Sequence, residues 1–217
     1  MAHKTFPLFK ERNAPSLGEL KDRLKTKSDL LEKRLYDPLW RLSAKEMAES
    51  KTNPVNNLLC GMGLEKNHFI ADRGETFKGL YSWARLVDEK PKVEYIGISQ
   101  NLGKRLRGHV YSNNKSIATW VYMMAKDRYF KSQGITEKSS KDEVKRVYDK
   151  FINLCDNAKM LSNNNYDFHL RSDIQKELVD NDYFCTVVLV EDDYELYMLE
   201  PYCSLRFESH WNVFQTH

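Results

Sequence analysis

Gly79-Leu80-Tyr81 and Tyr95-Ile96-Gly97 set two phenols fourteen residues apart, each two positions from a glycine. Arg105 and His109 follow, four apart, so they share one face of a helix. Glu200 closes the run Glu195-Leu196-Tyr197-Met198-Leu199-Glu200, and Asn212 lies twelve residues beyond it. Phosphodiester hydrolysis uses such types: it needs a deprotonated water, in-line attack, and stabilisation of negative charge at phosphorus and the leaving oxygen. The charge is divided to match. Residues 78 to 131 hold eleven Lys and Arg against four acids, net +7, whereas residues 182 to 208 hold one Arg against seven acids, net −6. A basic half facing a polyanion and an acidic half able to hold a cation is what a magnesium-dependent nuclease requires.

Ser16-Leu17-Gly18-Glu19 is a capping box, and Leu17, Leu20, Leu24, Leu31 and Leu35 form one apolar stripe. Ser43-Ala44-Lys45-Glu46 repeats the start signal, and Asn53-Pro54 ends that segment. From Phe77 the pattern turns β-prone, with strands over 77 to 87 and 92 to 98 around a four-residue turn, Asp88-Glu89-Lys90-Pro91, so the pair is antiparallel. Asn101 caps a helix whose Leu102, Leu106 and Val110 face the core. Three more helices fall between 115 and 181: one with Ile117, Trp120, Val121 and Met124, one opened by Ser140, and one opened by Ser172. Ser162-Asn163-Asn164-Asn165 is a loop between the last two. Phe184 to Val190 is apolar almost throughout, hence a central strand, and it leads into a helix with Leu196, Met198 and Leu199.

Singly, each polar residue is ordinary; together, their order and spacing resemble the GIY-YIG nuclease superfamily. Leu80 stands for isoleucine in the first tripeptide, and the run ending in Glu200, with Asn212 at plus twelve, is similar to the segment carrying that superfamily's metal-binding glutamate and late asparagine. The resemblance covers residues 77 to 110 and 183 to 213. It implies an α+β fold, a small three-stranded antiparallel sheet flanked by helices. Residues 1 to 65 are then an N-terminal helical extension, and residues 66 to 217 a catalytic domain with a helical insertion at about 115 to 181.

The resemblance further implies that Tyr81 and Tyr95 flank the attacking water, with Tyr81 the general base. A phenol near pKa 10 is a poor base at neutral pH. Arg105, Lys104 or the metal is expected to lower that pKa, and His109 to take the proton onward. Glu200 is the one strong metal-binding carboxylate of the set, so one Mg²⁺ or Mn²⁺ per site is expected, completed by waters and phosphate oxygens. Arg105 adds a second positive charge with a fork matched to phosphate. Asn212 fixes geometry by hydrogen bonds. Pro201 directly after Glu200 predicts a kink or restart of that helix, with Glu195 as the fallback ligand.

Composition and motifs exclude other classes. The chain has 217 residues, 41% hydrophobic and 30% charged, with mean hydropathy −0.66, and no apolar run reaches the roughly 18 residues that cross a bilayer. No secretory apolar region follows Met1-Ala2-His3-Lys4, so a cytoplasmic, prokaryotic setting is the expectation. Cys60, Cys155, Cys185 and Cys203 form no CxxC pair, and Cys203 with His210 lacks further ligands. PD-ExK, HNH and P-loop signatures are absent, so no nucleotide cofactor is expected. Only five residues follow Asn212. Specificity is therefore expected from the N-terminal helices and the insertion, an arrangement like the superfamily's type II restriction endonucleases, which act on double-stranded DNA as homodimers or higher oligomers. Lys104, Arg107, Asn113, Asn114, Lys115, Lys126, Arg128 and Lys131 are the candidate DNA contacts. A structure-specific repair or mobile-element nuclease, or a catalytically idle binding module, are the alternatives.

Overall fold

The computed structural model describes residues 15–49, 77–111, 119–157 and 168–212. Its elements in chain order are α1 (Leu17–Tyr36), a 3-10 turn (Pro38–Trp40), β1 (Leu42–Ser43), α2 (Ala44–Glu49), β2 (Gly79–Val87) and β3 (Lys90–Ser99). Then come α3 (Leu102–Tyr111), α4 (Thr119–Ser132), α5 (Lys141–Asn157), α6 (Phe168–Asp180), β4 (Phe184–Leu189) and α7 (Asp193–Arg206). The architecture is α+β. One antiparallel sheet runs in the order β1-β4-β2-β3.

The sheet has four strands, where three were expected. The extra one is β1, drawn from the N-terminal segment, which pairs Leu42 with Cys185 and Ser43 with Phe184. Two residues are too few to display the period-2 alternation that marks a strand in sequence. Its effect is to cover the outer edge of β4, leaving that strand internal as its apolar run implied.

The hairpin turn is also shorter than expected. Asp88 (φ 50°) and Glu89 (φ 63°) both take the left-handed conformation, the geometry of a two-residue type I′ turn. Lys90 and Pro91 belong to β3, opposite Val87 and Leu86. Proline is tolerated there because β3 lies at the sheet edge, where a missing N–H need not break a ladder bond. The Asp-Glu pair lacks the Asn-Gly signature that announces such turns, and the proline disguised the strand start.

Helices cover both faces of the sheet. Tyr81, Trp83, Tyr95, Cys185 and Val187 pack with residues of α2, α3, α4 and α6, including Met47, Leu106, Trp120 and Ile174. Leu80, Ala84, Val93, Ile96 and Val188 pack on the other face with Leu31 and Leu35 of α1 and Leu196, Leu199 and Cys203 of α7. A bulge lets β3 serve both layers: Trp83 faces Tyr95 but Ala84 faces Val93, so Glu94 is the supernumerary residue. Without it Val93 and Tyr95 would point the same way. Helix α5 packs outside this sandwich, its Phe151 ring against Tyr122 and Tyr129 of α4.

The start signals have a structural counterpart. Ser16 and Glu19 form both arms of a capping box, and Ser43 with Glu46 and Ser140 with Glu143 make the same bonds. In the α1 stripe Leu24, Leu31 and Leu35 are buried, whereas Leu17 is 84% exposed. Helix α6 begins at Phe168, four residues before the expected start. The Ser162–Asn165 loop and Asn53-Pro54 lie outside the described residues. Helix α7 neither stops nor restarts at Pro201. Proline removes the bond to the carbonyl four residues back, here that of Tyr197, an exposed residue. Leu199 and Cys203, both buried, hold the turns on either side of it. Among the described residues no helix is long and apolar enough to cross a membrane.

Candidate active site

Helix α3 sets two of the candidate residues over the sheet. Asn101 Oδ1 accepts the Lys104 N–H at 3.0 Å, and the Leu102 N–H donates to the Phe77 carbonyl at 2.8 Å, tying the helix start to the segment that enters β2. Leu102, Leu106 and Val110 are buried, which turns Arg105 and His109 toward the two tyrosines.

Tyr81 and Gly97 are cross-strand partners on β2 and β3. A Cβ on Gly97 would lie 2.4 Å from Tyr81 Oη and 2.5 Å from Cζ. The glycine is therefore what allows the phenol to lie across β3. There its oxygen accepts the Arg105 Nε–H at 3.1 Å and sits 3.0 Å from His109 Nε2. Gly79 is equally constrained by the opposite strand, since a Cβ there would meet the Val188 carbonyl oxygen at 2.4 Å.

His109 is fully buried in an aromatic box of Tyr81, Trp83, Tyr95 and Trp120, with ring centroids 5.6 to 6.0 Å away. Burial first, and then the Arg105 charge, push its pKa down to about 3. The ring is neutral at any physiological pH, and its Nδ1 has no hydrogen-bond partner among the described residues. Tyr95 stacks on Trp120 at 5.9 Å with planes 5° apart. Trp120 belongs to α4, the first described helix of the insertion, and its place on an apolar helical stripe marked it only as core. A stripe gives the buried face of a helix and not which polar ring that face will meet.

Burial chiefly, and then Tyr95, hold the Tyr81 phenol well above its ordinary 10, with Arg105 opposing. This corrects the expectation that neighbouring cations lower it, because desolvation of a fully enclosed phenolate outweighs one guanidinium. Tyr95 is raised by burial and then by Glu200. Burial also raises Glu200, against the pull of Arg105. For Arg105, burial lowers the pKa, and Tyr81, Tyr95 and Glu200 together more than restore it. The guanidinium is thus electrostatically coupled to both phenols and to the carboxylate.

Asn212 closes the arrangement. Its Oδ1 accepts the Ile96 N–H at 2.7 Å, and its Nδ2 donates to the Ile96 carbonyl at 2.7 Å and, at 3.5 Å, toward Glu200 Oε1. The side-chain amide pairs with the outer edge of β3 as another strand would, and orients the carboxylate beside it. Glu195 faces elsewhere: it is buried and coupled to Lys27 and Arg23 of α1. Tyr81, Tyr95, Arg105, His109, Glu200 and Asn212 therefore converge at the edge of β3 from four stretches of chain.

The described residues contain no group of three or more His, Cys, Asp or Glu side chains placed to hold a metal ion. A divalent cation would rest on Glu200 together with water and substrate oxygens, which suits Mg²⁺, an ion that keeps several waters and takes one or two carboxylates. Beside Arg105 lies an open groove of about 330 Å³, lined also by Gln100, Asn101, Lys104, Leu196 and Tyr197. Lys104 and Arg107 are exposed on α3. Lys126 lies over the Phe130 and Tyr148 rings, Lys131 pairs with Asp127 at 2.7 Å, and Arg128 pairs with Glu177. Asn113, Asn114 and Lys115 lie outside the described residues. Compared with family models, with curated proteins and with solved structures, the chain matches none.

Proposed function

We propose that the chain is a Mg²⁺- or Mn²⁺-dependent endonuclease of the GIY-YIG kind that hydrolyses phosphodiester bonds of double-stranded DNA. Within that kind we infer a sequence-specific type II restriction enzyme acting as a homodimer or higher homo-oligomer. One observation carries the reading: a guanidinium, Arg105, donates to a buried phenol and is coupled to the Glu200 carboxylate. A general base, a phosphate clamp and a cation ligand thereby meet in one place.

A divalent ion held by Glu200 would neutralise phosphate charge and make water easier to deprotonate. The chain's own groups do the rest. Tyr81 first loses its own proton to solvent and, as the phenolate, takes the proton from water; its high pKa makes that phenolate a strong base. Arg105 Nε–H, with His109 Nε2–H in that tautomer, stabilises the phenolate oxygen. Tyr95 flanks the water beside Glu200, and Asn212 holds the carboxylate against the edge of β3. Trp83 and Trp120 pack on the His109 ring behind the base.

Incubation of plasmid with the protein and Mg²⁺ tests this directly. Discrete fragments support restriction. Nicking at branches or flaps supports the structure-specific alternative, and no cleavage at any protein level overturns the enzyme reading in favour of a binding module.

A further inference from the structure

Where the insertion meets the sheet there is a cavity of about 280 Å³, lined by Arg85, Lys92 and Glu94 of the hairpin, Arg128 and Glu177 of α4 and α6, and Trp211. It adjoins the candidate active site through two covalent neighbours. Glu94 precedes Tyr95, Trp211 precedes Asn212, and the Trp211 N–H donates to the Glu94 carbonyl at 3.0 Å. The bulge at Glu94 is what turns this carboxylate inward, where it is buried.

Glu94 Oε1 accepts Arg85 Nε at 2.9 Å, with Lys92 Nζ at 3.7 Å. A guanidinium held through Nε keeps its two terminal nitrogens, the fork that matches guanine O6 and N7, for a ligand. Arg128 differs, since a terminal nitrogen is the atom that it gives to Glu177. Partly desolvated ion pairs contribute little net stability, so packing alone gives no reason to gather these charges around an open hollow. Arg85 shares the Tyr81 face of β2, four residues along, which is roughly 14 Å at about 3.4 Å per residue. Duplex DNA advances about four base pairs over that distance.

On the strength of the nuclease reading, we propose that this cavity reads a G·C pair about four steps from the scissile phosphate, with Arg85 contacting guanine and Glu94 as its positioning residue. Such a pocket is built jointly by core and insertion, so its specificity belongs to this chain and not to the β2–β3 hairpin alone.

The test is selection from a pool of random duplexes with Mg²⁺ present, using Glu200→Ala protein so that bound DNA survives, followed by sequencing. The same selection is run with Arg85→Ala or Arg85→Lys added. The parent should enrich a motif containing G·C, and both variants should lose roughly fivefold to 150-fold preference at that one position, the worth of a bidentate base contact. Preferences at the other positions should hold, and the salt dependence should not change as it would for a lost phosphate contact. Arg85→Lys keeps the charge toward Glu94, so it carries the test if Arg85→Ala does not fold. Unchanged preferences or uniformly weakened binding would overturn this inference alone, and parent binding without any sequence preference would overturn it together with the sequence-specific part of the nuclease reading. Failure of the parent to bind DNA would overturn the nuclease reading beneath it.

Discussion

Replacing Gly97 with alanine should strike the site through a single methyl group. The new Cβ would lie 2.4 Å from Tyr81 Oη, 2.5 Å from Cζ and 2.9 Å from Cε1. The nearest of these contacts is about 1 Å inside ordinary carbon–oxygen separation, so the ring must move. Tyr81 has no room to yield cheaply, being fully buried and bonded at 3.0 Å to His109 and 3.1 Å to Arg105. Overpacking costs about 1–3 kcal/mol, and a strained hydrogen bond to a charged partner adds about 1.5 kcal/mol or more, for a total on the order of 3 kcal/mol. For a domain of this size that is roughly 6–12 °C in Tm. Urea unfolding of Gly97→Ala, Tyr81→Ala and the double variant isolates the clash. Once the ring is gone, Gly97→Ala should cost under about 1 kcal/mol. A neutral Gly97→Ala, or the same cost in both backgrounds, would refute the claim that glycine is required for the passage of this phenol.

Other consequences concern protons and ions. Because burial holds Tyr81 well above 10 and keeps His109 near 3, log kcat should climb with a slope near one between about pH 7 and 9, with no inflection near 6.5. A plateau from neutrality upward would mean that some other group is the base. His109 also predicts acid sensitivity. The unfolded ring binds a proton below about 6.5 and the folded one only near 3, so this stability is complete above 6.5 and drains away as pH falls toward 3. The full gap is worth on the order of 4–5 kcal/mol. Urea midpoints at several pH values should therefore fall more steeply for the parent than for His109→Asn, and parallel curves would contradict the burial argument. DNA binding should weaken with salt at a log-log slope near −0.9 per neutralised phosphate, and a flat response would remove the basic segment as the footprint.

The residues that converge were legible because glycine and tyrosine at these spacings state a backbone requirement as well as a chemistry. Gly97 is missing a side chain where Tyr81 needs the space, and such a constraint survives in sequence. The helix starts were legible for a similar reason, since Ser16-Glu19 and its repeats satisfy orphan N–H groups locally. What escaped was collective. Strand β1 exists because β4 has an edge to cover, and no property of Leu42-Ser43 announces it. The His109 proton affinity follows from enclosure by Trp83 and Trp120, which come from separate elements and meet only on folding, and that of Tyr81 from burial beside Tyr95. Pro201 does not restart the helix for the opposite reason: the local rule is sound, but burial of Leu199 and Cys203 holds α7 together across it.

The most direct test is the Glu200→Ala protein assayed side by side for duplex binding and for plasmid cleavage with Mg²⁺. Binding should stay close to that of the parent and cleavage should fall to background, because Glu200 supplies the proposed cation site while Lys104, Arg105 and Arg107 still meet the phosphates. Cleavage at the parental rate by this variant would contradict that role for Glu200.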